Sequence, residues 1–327
     1  MYSFTIRSAG VCSSAAGLLV ALSMPLLAQV YPAKPVRLIA PFPPGGSSDL
    51  IARIVAQRLS EGFPHQIIIE NRPGAGSNLG TQIAARAAPD GYTLLITSVT
   101  AAINVSLIRN PGYDLIKDFT PISKLAVGPT ALVVHPSVPA HNVRQFIKLA
   151  QSRPGQLNYG SGGNGTPSHI CGEMLRHMAG VSISHVPYKG TGQSITDLMA
   201  GQIHFVFASM PVVFPHMKTG RLRTLAITGA KRTPLAPDLP TVAESGLPGY
   251  AFDSWWGLVT NTGVPQAIIN TLSSDVRRVL QLPDVKERFA DLGIDVAHST
   301  PAELASFTRS EIERLAKIIR DTGIRAD

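Results

Sequence analysis

The sequence predicts an α/β fold in two domains, and three observations carry this. Short apolar runs of strand length alternate with segments of helical periodicity through most of the chain, the pattern of parallel strands joined by crossover helices. The 327 residues exceed one ordinary core and suit two domains of about 100–150 residues each. Four glycine-rich segments, at 41–49, 73–78, 160–166 and 190–194, each follow an apolar run and precede a helix start.

The first strand is expected at 36–40, an apolar run that ends at proline. Leu50, Ile51, Ile54, Val55 and Leu59 then recur at helical spacing, with Ser48 or Asp49 as the expected cap. A second strand at 66–70 leads through Gly74 and Gly76 to a helix over 78–87. Pro89-Asp90-Gly91 reads as a turn into a third strand at 92–97. The pattern restarts after Pro129, with strands at 131–135, 157–160, 183–188, 203–208 and 222–228. Helices are expected at 143–150 and 195–200, and another where Thr166 can cap and Pro167 can hold the first helical position. After a proline-rich stretch, 250–260 reads as a strand in which Trp255 and Trp256 face opposite ways, one to the core and the other toward a cleft.

The C-terminal part reads as helical. Thr300, Pro301 and Glu303 form a capping box with proline at the first helical position. Leu304, Phe307, Ile312, Leu315 and Ile319 line one face of the helix that follows. Too few strands surround these helices for a separate α/β unit, so they are expected to pack back on the first domain. That makes domain I discontinuous, 29–129 with 251–327, and domain II continuous over 130–250. The crossovers fall near 127–131 and 250–254.

Hydrophobic residues make up 44% of the chain and charged residues 15%, the balance of a packed globular protein. The formal net charge of +8 favours encounter with anions. No Lys/Arg run or basic stripe with interleaved aromatics points to nucleic acid. Residues 1–28 read as an export signal: Arg7, an uncharged run centred on Leu18–Leu22, then Pro25 and a cleavage point near Ala28. An uncleaved membrane anchor is the alternative, which serines, glycines and Pro25 weaken. Cys12 falls in that segment, leaving Cys171 alone in the mature chain, where a small buried residue is the simplest reading.

The glycine-rich segments offer hydroxyls, amides and backbone N–H groups at helix starts, which suits holding a small anion. Gly74, Gly76 and Gly80 approximate a dinucleotide loop, but the third glycine comes one position late. No segment carries the Gly-Lys-Ser/Thr of a phosphate-binding loop, and no nucleophile elbow is present. The histidines lack metal-ligand spacing, and no carboxylates cluster with them. Asp49 is read either as a cap or as a partner for a ligand amine or hydroxyl. His169 reads either as a ligand donor or as an ordinary histidine, and Lys189 either as a ligand contact or as a solvated or salt-bridged lysine.

Several spaced blocks in one order resemble the Bug (TctC-type) periplasmic solute-binding receptors of tripartite tricarboxylate transport systems. They are Pro41-Phe42-Pro43-Pro44-Gly45-Gly46-Ser47-Ser48-Asp49, Glu70-Asn71-Arg72-Pro73-Gly74-Ala75-Gly76-Ser77, Pro89-Asp90-Gly91-Tyr92-Thr93-Leu94-Leu95, Val186-Pro187-Tyr188-Lys189-Gly190 and Asp238-Leu239-Pro240-Thr241-Val242-Ala243-Glu244-Ser245-Gly246. The resemblance implies a two-domain periplasmic-binding-protein (Venus-flytrap) fold with two crossovers and an interdomain cleft. It implies capture of a small carboxylate and delivery to membrane components of a transporter, with no catalytic group, metal or cofactor. By the same resemblance the ligand contacts are Phe42, Gly45, Gly46, Ser47, Asp49, Ser161, Gly162, Thr166, Ser168, His169, Tyr188, Gly190 and Asp253. The chain departs from the family pattern at 260–265, and Ser209 is a position where selectivity is expected to vary. A receptor that signals to a sensor kinase and a secreted nucleotide-dependent enzyme remain the alternatives, and a monomer is expected.

Overall fold

Three strand-to-helix units open the chain in the computed structural model, which describes residues 1–3, 5, 31–217 and 219–325. Nearly all of the expected export signal, Cys12 and Ala28 included, lies outside the described residues. The three units are β1 (Val36–Ala40) into α1 (Ser47–Gly62), β2 (Ile67–Asn71) into α2 (Asn78–Ala85) and β3 (Thr93–Ser98) into α3 (Val99–Leu107). β1 pairs parallel with both β2 and β3, so all three strands deliver their helices at the same sheet edge. β4 (Phe119–Val134) and α4 (Val143–Ser152) lead to a second set of three. These are β5 (Leu157–Ser161) into α5 (Pro167–Ala179), β6 (Ile183–Pro187) into α6 (Thr191–Met199) and β7 (Phe205–Ser209) into α7 (Met210–Met217). β5 in turn pairs parallel with β6 and β7.

β8 (Arg223–Ile227), β9 (Asp253–Asn261), α8 (Gln266–Gln281), α9 (Pro283–Asp291), the two-residue β10 (Asp295–Val296) and α10 (Pro301–Thr322) complete the chain. The strands run in the order β2-β1-β3-β9-β4-β7-β5-β6, with β8 and β10 also paired to β4. The 16-residue β4 joins the two sets. Its first part, Phe119–Pro129, lies antiparallel to β9, and its second part, Thr130–Val134, lies antiparallel to β7. At the change of partner, Gly128 and Pro129 stand opposite Ser254 and Asp253, so two chain segments cross side by side. All of this belongs to one compact unit, Tyr31–Asp327.

The strands read as continuous apolar runs because both sheet faces are covered. Consecutive residues alternate between two cores: Leu38, Leu94 and Val133 enter one, and Ile39, Leu95 and Leu132 enter the other. The capping box at α10 forms: Glu303 N–H donates to Thr300 Oγ1 at 3.2 Å, and the Glu303 carboxylate accepts from Thr300 N–H at 2.8 Å. α10 packs on α3 and β4 and also reaches α5. Cys171 is fully buried on α5, and burial pushes its thiol well up, out of the range in which a nucleophilic thiolate forms. Among the described residues no helix is long and apolar enough to cross a membrane.

The structure corrects the sequence reading in five places. α1 starts at Ser47 with Gly46 as its cap, not at Ser48 or Asp49. Thr166 and Pro167 stand where expected at the start of α5, but the Thr166 hydroxyl donates to the Gly163 carbonyl at 2.7 Å instead of capping the helix. α3 and α7 were not expected. Nor was the first part of β4, whose register shifts twice, between Pro121 and Ser123 and between Lys124 and Ala126.

Candidate functional site

β3 is antiparallel to β9, β9 to β4 and β4 to β7, so the two strand sets run in opposite directions with their C-terminal ends facing each other, and their helices begin around a common space. That space is a chamber of about 440 Å³. Gly46, Ser98, Thr166 and Gly190, the residues that precede the first turns of α1, α3, α5 and α6, all stand on its wall. Ser209, just before α7, stands there too. No side chain caps any of the first four helices. Their first-turn N–H groups and dipoles therefore remain for a guest, each start contributing about 0.3–2 kcal/mol toward an anion.

The rest of the wall is neutral. Hydroxyls come from Ser47, Thr100, Thr191, Thr196 and Ser254, and an amide from Gln193. Phe42, Pro43, Val99, Pro167 and Trp256 supply apolar surface. Among the described residues, no Asp, Glu, Lys, Arg or His stands on this wall. Such a site can hold a carboxylate without proton transfer, since none of its side chains titrates near neutral pH. Trp256 faces the chamber, while its neighbour Trp255 is buried on the other side, where its indole N–H donates to Glu311 Oε2 at 3.1 Å.

The loops from the two strand sets meet over the chamber. Ser47 Oγ and Ser209 Oγ lie 2.6 Å apart. Space at Gly165 is so limited that a Cβ there would come within 2.5 Å of Asn104 Oδ1. Gly190 stands against the Pro43 ring in the same way. These contacts bring loops of the two strand sets together beside the chamber.

Beside it lies an outer chamber of about 620 Å³, sharing Phe42, Pro43 and Gln193 with the inner one. Its wall is the β2–α2 loop from Pro73 to Ser77, the end of α3 at Leu107 with Ile108, the loop tip Gly162–Asn164, and the segment Pro187–Lys189. Tyr188 donates its hydroxyl to Asp197 Oδ2 at 2.8 Å. Burial and that contact push its phenol up to about 12, so it stays protonated at neutral pH.

The expected contact residues thus separate into groups. Phe42, Gly45, Gly46, Ser47, Thr166 and Gly190 stand on the inner wall. Gly162 and Tyr188 stand on the outer wall. Asp49, Ser161, Ser168 and His169 are buried behind the loops and stand on neither wall. Asp49 binds its own loop: it accepts from Gly45 N–H, Arg53 and the Asn71 amide, each at 2.9 Å. Burial alone would raise the Asp49 carboxyl, but those donors outweigh it and hold the group below its ordinary value. Ser161 Oγ accepts from Gly163 N–H at 3.0 Å and lies 2.6 Å from His185 Nε2. His169 Nδ1 accepts from Gly165 N–H at 3.2 Å, and its ring stacks on that of His185 at 4.3 Å.

Asp253 lies apart from both chambers. It lines a third cavity of about 570 Å³ at the β4–β9 crossing, with Glu311, Arg314, Lys231 and Arg232, and burial raises its carboxyl. The sequence reading missed Ser98, Val99, Thr100 and Ser254 on the inner wall. No glycine marks the β3–α3 turn, so it lacked the signal that exposed the other loops.

The family model TctC, described as the tripartite tricarboxylate transporter family receptor, matches residues 51–324. Protein BugT of Bordetella pertussis is 34% identical over 306 residues, covering 93% of this chain and 94% of BugT. The structure of Rpa4515 from R. palustris with adipate superposes with a TM-score of 0.88 at 34% identity, covering 90% of this chain and 99% of that one. MatC from Rhodopseudomonas palustris with bound malate gives a TM-score of 0.84 at 31% identity, covering 88% and 100%.

Proposed function

We propose that this chain, which belongs to the tripartite tricarboxylate transporter receptor family, captures a small organic carboxylate in the inner chamber and hands it to a membrane transporter. The observation that carries the reading is the convergence of four helix starts, none capped by a side chain, on one neutral chamber. Adipate in one similar structure and malate in another support the same ligand class. The family's receptors are periplasmic, and on this reading the present chain is exported and cleaved near Ala28.

On this reading the lobes are residues 29–129 with 251–327, and 130–250. They turn about the paired segments of β4 and β9 at Gly128–Pro129 and Asp253–Ser254. Bound ligand favours the closed form because helix starts from both lobes contribute to one site.

Thermal melts against a panel of mono-, di- and tricarboxylates test the reading. A ligand at a hundred times its Kd stabilises by about 2.7 kcal/mol, which raises the melting temperature measurably. At least one carboxylate is expected to do so, with amines and sugars inert. A folded protein indifferent to the whole panel contradicts the reading.

A further inference from the structure

The β2–α2 loop presents donors to the outer chamber that the receptor reading does not use. Gly74, Ala75, Gly76 and Ser77 all have positive φ, at 144°, 46°, 57° and 75°. Ala75 and Ser77 hold this conformation although they carry side chains, a strain kept where a loop must present its groups in one direction. Ser77 ends the loop at the start of the eight-residue α2 and does not cap it. It stands on the outer wall, is 2% exposed, and its hydroxyl has no hydrogen-bond partner. A buried hydroxyl left unpaired is destabilising, so its presence calls for a guest. The N–H groups of Asn78 and Leu79 turn back onto the Ala75 and Gly74 carbonyls at 3.1 and 3.3 Å. Those of Gly76 and Ser77 donate to no protein group among the described residues. Lys189, after β6 of the other strand set, is the one charged side chain on this wall among the described residues. It is exposed and makes no ion pair among them.

We propose that the β2–α2 loop and Lys189 hold a small inorganic oxyanion, of the phosphate or sulfate class, at a separate site in the outer chamber. The Ser77 hydroxyl and the Gly76 and Ser77 N–H groups donate to its oxygens, where the α2 dipole favours negative charge. The Lys189 ammonium, on its flexible stem, supplies a balancing charge from the other strand set. A tetrahedral ion suits this arrangement because its oxygens point several ways at once and meet donors on different walls. A carboxylate presents both oxygens on one side. The site goes beyond the receptor reading and does not need it, since the inner chamber has helix starts of its own.

Calorimetric titration of the whole mature protein with inorganic phosphate, and separately with sulfate, tests this in a buffer free of both and of carboxylates. One equivalent is expected to bind. Ser77→Gly removes the hydroxyl and accepts the φ of 75° without strain. It is expected to weaken the bound oxyanion about tenfold, the scale of one lost hydrogen bond to a charged group. The same variant, free of oxyanion, is expected to bind the tightest carboxylate of the panel as wild type does. Lys189→Met is expected to weaken the oxyanion about threefold to fivefold, by an amount that shrinks as salt is added. Carboxylate titrated into phosphate-saturated protein is expected to bind with undiminished affinity. The inference is overturned if neither oxyanion binds the folded protein, or if Ser77→Gly leaves its affinity unchanged. It is also overturned if phosphate and carboxylate compete, which would seat phosphate in the inner chamber. The receptor reading fails on a different result, the absence of any carboxylate binding to oxyanion-free protein.

Discussion

Gly190→Val is expected to lower carboxylate affinity about 30-fold while leaving the protein folded. Gly190 precedes α6 with φ 150° and ψ 150°, a conformation that side-chain-bearing residues rarely adopt. A Cβ there would lie 3.0 Å from the Pro43 ring, which comes from the opposite side of the chamber. A valine must either rotate the backbone, turning the first N–H groups of α6 away from the chamber, or hold the two loops apart. The first route removes one helix start, up to about 2 kcal/mol of anion stabilisation. The second separates the donors of α1 and α3 from those of α5 and α6. Either route costs about 2 kcal/mol, which is a change of about 30-fold. The valine lies outside the two apolar cores, so the thermal transition of the ligand-free protein remains cooperative. Titration with the tightest ligand of the panel gives the affinity, and circular dichroism checks the fold. Unchanged affinity contradicts the assignment of α6 to the site.

Asp49→Ala is expected to destabilise the protein by about 2–3 kcal/mol at neutral pH and to weaken ligand at least about tenfold. Asp49 stands on neither chamber wall, yet it organises the loop that does. Its carboxylate takes the Gly45 N–H and the Asn71 amide, and that same amide donates to the Phe42 carbonyl at 3.1 Å. Alanine leaves the Gly45 N–H without this acceptor and the Asn71 amide with the Phe42 carbonyl alone, and it frees the segment that carries Phe42, Gly46 and Ser47. The pH dependence has a definite sign. The folded-state pKa lies below the ordinary 3.8, so ionised Asp49 contributes its full stability above that value. The contribution is lost as pH falls through the folded pKa. Urea midpoints of wild type and variant should therefore differ by a constant amount above about pH 5 and converge as the pH is lowered below about 4. A gap that persists unchanged at pH 2 contradicts a carboxylate role.

The sequence exposed those parts of the fold in which local pattern and tertiary demand agree. Apolar runs followed by glycine before a periodic segment located β1, β2, β5 and β6 with their helices. The capping box placed the start of α10 at the correct residue. The reading failed where tertiary packing overrides local preference. Ser98-Val99-Thr100 looks like more of β3, since Val and Thr favour strands. The chain turns there because Val99, Ala101, Ala102 and Ile103 bury their side chains in the core that α10 also enters. Pro121 and Pro129 punctuate the first part of β4, which accommodates them through shifted register and a change of partner. Pro215 inside α7 hid that helix in the same way.

The candidate site was legible only where glycine marks it. The loops at 45–47 and at 190 reach the inner wall, as their composition suggested, and Thr166 reaches it from the third loop. Side chains that act behind the wall could not be told from those that face it. Ser161, Ser168 and His169 share a glycine-rich loop and helix start with Thr166, yet they are buried beneath it. Asp253 follows the correct strand boundary but faces the crossing cavity, because β9 alternates and its neighbour Ser254 takes the inner side.

The central claim is that peptide N–H groups and hydroxyls from both strand sets jointly hold a carboxylate, without a charged side chain at that end. A crystal structure of the protein with its tightest carboxylate tests it directly. The account predicts one carboxylate within hydrogen-bond distance of the first-turn N–H groups of α1 or α3 and of α5 or α6, inside the chamber bounded by Trp256 and Ser209. A carboxylate ion-paired to arginine or lysine at both ends, or seated in the cavity beside Asp253, would contradict it.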